Sequence, residues 1–264
     1  IKDLEYKDDM VFNPSKTLSV WVKNPIGNFV ELLPQQEMSI NFKSSFTDPK
    51  AIDSLYPDNS TEIKYHGDWT KINYKNRIAK FKKSPLNFGD IVFVGNSLTE
   101  QGGDWSAKLN ITNIRNRGIA GDVTDGVLMR TKEITHYKPE AVFLLIGIND
   151  LFNLHYEKEI PSAEYVADNI IKITELIHKE SPETKIYLQT LLPTSEAFMA
   201  ANINTINAIM KQHEKDAPYE LINLFEVFAN DKGLMRDELT TDGTHLNELG
   251  YEVWVKTVKN KIRP

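Results

Sequence analysis

The chain has 264 residues, with 31 Lys and Arg against 37 Asp and Glu, and it contains no cysteine. A net charge of −6 argues against a broad phosphate-binding surface, and so against nucleic acid as the main partner. The lack of cysteine excludes disulfides, thiol nucleophiles and cysteine-bound zinc or iron–sulfur sites. No apolar run approaches the roughly 18 residues of a membrane span. A hydrophobic content of 41% is enough for a sizeable core, so a globular fold is expected.

Residues 1–69 have the pattern of short strands joined by loops. The runs 18–22 and 29–33 are strand-like, and the Asn-Pro-Ile-Gly-Asn between them has the composition of a turn. A third alternating run covers residues 38–42, and a stretch rich in Ser, Thr, Asp and Pro follows it. We therefore predict a small β-rich N-terminal segment over 1–69, whose role is open.

From residue 70 to residue 264, short apolar runs alternate with longer helical patterns. The apolar runs suit strands that are covered on both faces, and they lie at 91–94, 141–146, 186–192 and 221–224, with a weaker fifth at 111–114. Helical patterns lie around 72–81 and at 122–135, 162–180, 200–216 and 246–262. This alternation predicts an α/β domain with a doubly wound parallel sheet. Ligands bind such sheets beyond the carboxyl ends of the strands, so the residues just after each strand are the candidate functional residues.

Polar or glycine-rich sequences follow three of the predicted strands. Ser97 comes directly after the first of them, where it could be an exposed nucleophile or a helix cap. Gly121 lies in a loop that opens a helix, where backbone N–H groups can face an anion, or where Asp122 simply caps the helix. Asn149 follows another strand, where its amide could donate to an oxyanion or begin a turn.

A further candidate pair precedes the last helical pattern. Asp242 and His245 are three residues apart, so they can form a hydrogen bond that leaves the other imidazole nitrogen free as a base. The remaining histidines lack a strand-end position and are predicted to lie mostly at the surface: His66, His136, His155, His178 and His213. No zinc-binding spacing such as H-E-x-x-H occurs. Together the strand-end residues supply a nucleophile, an oxyanion hole, a base and its orienting group, as acyl transfer requires.

These positions fall in four blocks that resemble the SGNH (GDSL-type) hydrolase superfamily. The blocks occur in the family's order and are Gly95-Asn96-Ser97-Leu98, Gly121-Asp122, Gly147-Ile148-Asn149-Asp150 and Asp242-Gly243-Thr244-His245. The longer string at 117–124, Arg-Gly-Ile-Ala-Gly-Asp-Val-Thr, resembles the branch of platelet-activating-factor acetylhydrolase catalytic subunits and bacterial carbohydrate O-acetylesterases, sialate O-acetylesterases included. Asn96 stands where the GDSL signature has Asp, which is not a member of the catalytic triad. The resemblance implies a flavodoxin-like five-stranded parallel sheet flanked by helices, the SGNH fold, over residues 70–264.

The resemblance also implies a role for each candidate residue. Ser97 is the nucleophile, His245 is the general base, and Asp242 orients His245. The oxyanion hole consists of the backbone N–H groups of Ser97 and Gly121 and the side-chain amide of Asn149. No metal and no cofactor is needed for any step. The implied activity is that of a serine esterase that hydrolyses an ester of a small molecule or a glycan through an acyl-enzyme.

The identity of the ester stays open. The branch resemblance favours acetyl groups on a carbohydrate, such as sialic acid or a polysaccharide. A lipid-directed acetylhydrolase or lysophospholipase is the alternative, and an inactive glycan-binding protein is the alternative of another class. Export to the periplasm or cell surface is expected from that resemblance and from a first residue, Ile1, that is not Met.

Some side chains near the blocks are candidates for substrate contacts. Phe152 and the run 191–193 are expected either to line the mouth of the site or to belong to the core. Trp105, Arg130 and Arg236 could contact a sugar or a carboxylate, but a structural or solvent-facing role is favoured for each.

Overall fold

The computed structural model describes the strand pair at 20–23 and 29–32 and residues 52–156 and 159–262. It divides the chain into two compact units, Ile1–Ser45 and Phe46–Pro264. In the first unit, strands β1 (Val20–Lys23) and β2 (Phe29–Leu32) pair antiparallel. These two strands overlap the first two predicted runs, at 18–22 and 29–33, whereas the third run, at 38–42, lies outside the described residues.

The second unit begins well before residue 70, where the sequence pattern placed the boundary. Tyr56, Ile63 and Tyr65 are buried in the core of this unit, so the stretch before residue 70 packs with the domain that follows it. Its content of Ser, Thr, Asp and Pro is typical of a loop. It is held in place by a few buried aromatic and aliphatic side chains and by hydrogen bonds such as those of Tyr56 and His66. Contacts of this kind give the sequence no regular hydrophobic period.

A five-stranded parallel sheet forms the centre of the second unit. Its spatial order is β4 (Ile114–Gly118), β3 (Ile91–Gly95), β5 (Ala141–Leu145), β6 (Lys185–Gln189) and β7 (Glu220–Ile222). Gly95 is opposite Gly118 on one side and Leu145 on the other, so the carboxyl ends of three neighbouring strands are level. The order reverses at β3, which is the flavodoxin-like arrangement and places a topological switch point there. This confirms the predicted fold class.

The central strands β3 and β5 are buried along their whole length. The ring of Phe93 in β3 stacks on Phe143 in β5 at 4.7 Å and on Trp105 at 4.3 Å between ring centroids. Both faces of these strands are covered, so both read in the sequence as continuous apolar runs.

The edge strand β4 occupies Ile114–Gly118 rather than the predicted run 111–114. Its sequence is Ile-Arg-Asn-Arg-Gly, which is polar because hydrogen bonds, rather than apolar contacts, satisfy most of its side chains. Arg117 is buried and bonds the carboxylate of Glu133, while the Asn116 amide bonds three backbone carbonyls. A strand that is stabilised in this way cannot be recognised as an apolar run in the sequence.

Helices connect the strands and cover the sheet, and the predicted helix at 122–135 is in fact two helices separated at Arg130. In chain order the helices are Asp68–Lys83, Ser97–Gln101, Trp105–Leu109, Thr124–Met129, Thr131–Tyr137, Ile148–His155, Ala163–Glu180, Ala200–His213, Leu224–Phe228 and Glu248–Ile262. Single 3-10 turns occur at Ala197–Met199, Glu214–Asp216 and Asp237–Leu239. Within the described ranges, no helix combines the length and apolar character needed to cross a membrane.

Candidate active site

Ser97 lies at the point where the chain leaves β3 and enters a short helix. The cap of that helix is Asn96, whose Oδ1 accepts a hydrogen bond from the Leu98 N–H at 3.1 Å. Since Asn96 caps the helix, the hydroxyl of Ser97 is not used as a cap and is available to other partners. The N–H of Ser97 belongs to the first turn of the helix, where backbone donors have no intrahelical acceptor.

His245 and Asp242 approach Ser97 from a turn before the C-terminal helix. The His245 Nε2 lies 3.0 Å from the Ser97 Oγ, and the His245 Nδ1 lies 2.7 Å from the Asp242 Oδ2. The other oxygen of Asp242 accepts the backbone N–H groups of Thr244 and His245 at 3.0 and 2.7 Å. The structure thus connects three of the predicted site residues in one chain of hydrogen bonds.

The turn also keeps the Asp242 carboxylate charged. Partial burial raises its pKa, but hydrogen bonds from the backbone and imidazole of His245 and from Thr244 outweigh that effect. The net result is a pKa of Asp242 below its usual value. The carboxylate can therefore orient a proton on Nδ1 of His245 while the opposite nitrogen faces Ser97.

Gly121 lies on the loop after β4, and its φ of +82° is in the left-handed region that favours glycine. The helix Asp68–Lys83 holds this loop with two side chains. Asn73 donates to the Ala120 carbonyl at 3.0 Å, and Arg77 donates to the Gly118 carbonyl at 2.9 Å. A side chain at Gly121 would meet Thr70 of the same helix, so this close approach also requires glycine.

Asn149 stands in the first turn of the helix that follows β5. Its Nδ2 donates to the backbone carbonyl of Asp122 at 2.9 Å, which ties it to the residue after Gly121. The primary amide has a second N–H, which this bond leaves available. The two remaining predicted site residues, Gly121 and Asn149, are therefore linked through Asp122.

The side chain of Asp150 holds the end of the Gly121 loop, where the helix Thr124–Met129 begins. It accepts the Thr124 hydroxyl at 2.6 Å and the Thr124 N–H at 3.1 Å. Complete burial raises the pKa of Asp150 to about 7, against the effect of the Thr124 hydrogen bonds and with a small further rise from Asp125. Asp150 thus couples the start of the helix Thr124–Met129 to the segment that carries Asn149.

His66 is a neighbour of the candidate site that the sequence did not reveal. It was expected at the surface, but it is buried, with its Nε2 3.0 Å from the Oδ1 of Asp122. Asp122 binds Arg130 through its other oxygen, at 3.0 Å. No spacing in the sequence signals this contact, because His66 and Asp122 are 56 residues apart and His66 lies in a stretch with loop composition.

Two of the three side chains considered as sugar or carboxylate contacts are structural. Trp105 is buried and donates from its indole to the Thr99 carbonyl at 3.0 Å, and Arg130 is buried against Asp122. Arg236 is partly exposed and pairs with Glu238 at 2.7 Å. Phe152 is half-buried and packs against the core.

A small apolar pocket adjoins the residues on either side of Ser97. Its lining is mostly aliphatic and consists of Asn96, Leu98, Leu145, Ile148, Leu191, Leu192, Pro193, Thr194 and Thr244. The run 191–193 thus contributes to a pocket as well as to the core. In the part of the chain that the structure describes, no group of three or more His, Asp or Glu side chains is arranged to hold a metal ion.

A serine, a histidine and an aspartate joined at the carboxyl edge of a flavodoxin-like sheet are the arrangement of an SGNH serine hydrolase. The comparison with known families agrees. A model of the GDSL-like lipase/acylhydrolase family matches residues 93–253, and the chain belongs to this family. The SGNH resemblance and the assignment as a carboxylic ester hydrolase are therefore confirmed.

Individual relatives cover most of the second unit. The platelet-activating factor acetylhydrolase IB subunit alpha2 of Rattus norvegicus is 29% identical over 170 residues, which are 61% of this chain and 71% of the relative. A GDSL-like lipase from Bacteroides thetaiotaomicron has a TM-score of 0.62 at 22% identity, covering 72% of this chain and 97% of that one. An acetylxylan esterase from Geobacillus stearothermophilus has a TM-score of 0.57 at 17% identity. The match covers 67% of this chain and 95% of that one. At these identities the two solved structures show a common fold.

Proposed function

We propose that this chain is a serine esterase that removes acetyl groups from a carbohydrate through an acyl-enzyme formed on Ser97. The observation that carries the proposal is the hydrogen-bonded series from the Ser97 hydroxyl through His245 to Asp242. A serine hydroxyl is a weak nucleophile until a base within hydrogen-bond reach accepts its proton. The 3.0 Å separation of Oγ and Nε2 meets that requirement.

In the first step, Ser97 attacks the ester carbonyl while His245 takes the hydroxyl proton. Asp242 holds the imidazole in the tautomer that leaves Nε2 free, and its charge stabilises the imidazolium that forms. The carbonyl oxygen becomes an oxyanion. We assign its stabilisation to the backbone N–H groups of Ser97 and Gly121 and to the second N–H of the Asn149 amide.

In the second step, the imidazolium of His245 gives its proton to the leaving alcohol, which is the deacetylated sugar hydroxyl. Water then enters, loses a proton to His245 and attacks the acyl carbon of the ester on Ser97. Collapse of the second oxyanion releases acetate and returns the proton to Ser97. Each oxyanion uses the same three donors.

The pocket beside Ser97 supports a short acyl group. Its walls are formed by buried side chains of the core, Leu145, Leu191 and Leu192 among them, and such side chains are closely packed. An acetyl group needs room for one methyl carbon, whereas a long acyl chain would need an extended apolar channel. We therefore expect p-nitrophenyl acetate to be hydrolysed with a much higher kcat/KM than p-nitrophenyl octanoate.

An exposed tryptophan supports a carbohydrate as the leaving group. Trp69 is 63% exposed, and its indole reaches to 3.2 Å from the position that a Cβ on Gly121 would take. A large aromatic face beside the oxyanion loop is suited to stacking against the C–H face of a sugar ring.

The lipid alternative has its own support, since the curated relative from Rattus norvegicus is a platelet-activating factor acetylhydrolase subunit. Rates of acetate release from acetylated xylan oligosaccharides, acetylated sialic acid and an acetylated ether phospholipid discriminate between the two. The proposal expects the highest kcat/KM on one of the glycans. A preference for the phospholipid would establish the lipid-directed activity instead.

Trp69→Ala tests the contribution of the indole. We expect kcat/KM on the preferred acetylated glycan to fall at least tenfold, while kcat/KM on p-nitrophenyl acetate stays within about twofold of the parent value, since that ester lacks a sugar ring. Ile72→Ala is the matched control, because Ile72 is equally exposed, at 63%, on the same helix. An equal loss on both substrates would remove Trp69 from the sugar site.

A further inference from the structure

His66 connects to the oxyanion side of the active site without facing the substrate. Its side chain is 1% exposed and that of Asp122 is 0% exposed. The Nε2 of His66 lies 3.0 Å from Oδ1 of Asp122, and the guanidinium of Arg130 lies 3.0 Å from the other oxygen. Because Asp122 pairs with Arg130 as a carboxylate, the hydrogen on the His66 contact belongs to Nε2.

Asp122 is in turn joined to both donors assigned to the loop side of the oxyanion hole. One peptide bond joins Asp122 to Gly121, so a displacement of Asp122 has to be taken up by the backbone torsion angles of Gly121, which also set the direction of its N–H. Its carbonyl accepts the Asn149 amide at 2.9 Å, which determines where the second N–H of that amide points. A change in the placement of Asp122 therefore reaches both donors.

The Asp122 carboxylate is closely surrounded, and both of its oxygens accept hydrogen bonds. A Cβ on Gly126 would collide with Oδ1 of Asp122 and come within 3.1 Å of the His66 ring, so this glycine makes room for the pair. The ring of Tyr74 contacts His66 edge-on at 5.1 Å, and its hydroxyl donates to the Gly126 carbonyl at 2.8 Å. Arg130 continues the network to the Gly95 carbonyl, at the end of β3 before Ser97.

We infer that His66 is a positioning residue for catalysis, which fixes the oxyanion donors Gly121 and Asn149 through its hydrogen bond to Asp122. The inference rests on the proposed function, since it concerns the oxyanion hole of that esterase. His66 precedes residues 93–253, the range that matches the family model, so the hydrogen bond to Asp122 comes from outside that range. The hydrogen bond orients the donors before the substrate arrives. Oxyanion stabilisation is strong when the donors are preorganised in this way.

The test begins with His66→Phe, which keeps a ring beside Tyr74 and removes the N–H donor. We expect kcat on p-nitrophenyl acetate to fall about 10- to 100-fold, because displacements of 1 Å or less in a catalytic site have effects of this size. KM should change less than about threefold, since the oxyanion donors act mainly in the transition state. His66→Gln, which offers an N–H at a similar reach, should restore kcat to within about threefold of the parent value.

A double-mutant comparison separates positioning from general destabilisation. If His66 acts through the oxyanion donors, His66→Phe will lower kcat much less in an Asn149→Ala background than in the parent. Tyr219→Phe is the control, since it removes a buried tyrosine hydrogen bond to a backbone carbonyl, that of Met210, just before the edge strand β7 and outside the His66 network. Tyr219→Phe should leave kcat within about twofold of the parent. An undiminished effect of His66→Phe in the Asn149→Ala background would overturn the inference.

A readout independent of turnover keeps failure of this inference distinct from failure of the proposed function. The side-chain NH₂ signals of Asn149 in a ¹⁵N–¹H spectrum can be assigned by their loss in Asn149→Ala. They should shift in His66→Phe and stay in place in Tyr219→Phe. Unchanged Asn149 signals in folded His66→Phe would refute the coupling, whether or not the chain hydrolyses the chosen ester.

Discussion

The side-chain amide of Asn149 donates one of its two N–H groups to the backbone carbonyl of Asp122, across 2.9 Å. This bond joins the helix after β5 to the loop after β4, so two separate strand ends hold one donor group in place. It also leaves the second N–H of Asn149 to the substrate. A donor that is held in this way needs little reorganisation when negative charge develops on the ester oxygen.

Replacing this donor should slow the chemical step. For Asn149→Ala we expect kcat on p-nitrophenyl acetate to fall about 10²–10³-fold, the usual effect of losing one oxyanion donor, with little change in KM. Asn113→Ala is the matched control, because Asn113 also donates its amide to a backbone carbonyl, that of Gly89, but lies at the opposite end of the sheet, before β4. Initial-rate kinetics measure both variants. An Asn149→Ala protein with an unchanged kcat would remove Asn149 from the oxyanion hole.

Asp242→Asn should disable His245 while preserving the turn. The Oδ1 of Asn can still accept the N–H groups of Thr244 and His245. Its NH₂ would donate to Nδ1, which forces the proton of the neutral imidazole onto Nε2 and prevents that atom from accepting the Ser97 proton. We expect kcat to fall by about 10³–10⁴. Asp237→Asn, at an exposed position nearby, should keep the parent kcat; equal activities in the two variants would contradict the assigned role of Asp242.

The buried carboxyl of Asp150 should make stability fall as pH rises. Its pKa is raised to about 7 in the folded protein from 3.8, so the native state holds a proton that the unfolded chain has lost. The stabilisation is complete below about pH 4 and disappears as pH rises through about 7. Asn at this position does not titrate.

Urea unfolding across this pH range measures the effect of Asp150. The free energy of unfolding of the parent protein minus that of Asp150→Asn should fall by up to about 4 kcal/mol between pH 4 and pH 8. All other titrating groups cancel in this difference to first order. A difference that stays constant, or that rises with pH, would contradict the raised pKa of Asp150.

Breaking the buried ion pair of Arg117 and Glu133 should destabilise the fold strongly. Both side chains are buried, the guanidinium binds the carboxylate at 2.6 and 2.9 Å, and Tyr56 donates to the same carboxylate at 2.7 Å. Glu133→Ala leaves the Arg117 charge buried without its partner, and we expect a loss of about 3–5 kcal/mol in the free energy of unfolding. Glu175→Ala, on the exposed face of another helix, should change it by less than about 0.5 kcal/mol. Similar values for the two variants would contradict a strong requirement for Glu133 beside the buried Arg117.

Much of the fold was predictable because buried strands and helices have recognisable patterns of apolar residues in the sequence. Strands β3 and β5 are covered on both faces, so each is a continuous apolar run, and the polar residues that follow them are visible by contrast. That contrast is what singled out Ser97 and Asn149. The Asp242 and His245 pair was visible because its members are only three residues apart.

The rest of the site depends on contacts that no pattern of neighbouring residues in the sequence indicates. Strand β4 is held by the hydrogen bonds of Asn116 and Arg117 rather than by apolar burial. The search for apolar runs therefore placed this strand at 111–114, just before its observed position at Ile114–Gly118. His66 meets Asp122 across 56 residues, and its neighbours in sequence read as a loop. Contacts between polar side chains that are distant in sequence become visible only when the fold brings them together.

The central claim, that Ser97 is the nucleophile, is tested most directly by covalent labelling. The parent protein and Ser97→Ala are treated with a fluorophosphonate probe and analysed by intact mass and by mapping of the modified peptide, with circular dichroism to establish that both are folded. We predict one adduct on Ser97 in the parent, and neither an adduct nor hydrolysis of p-nitrophenyl acetate in Ser97→Ala. Labelling or turnover that persists in folded Ser97→Ala would contradict the account.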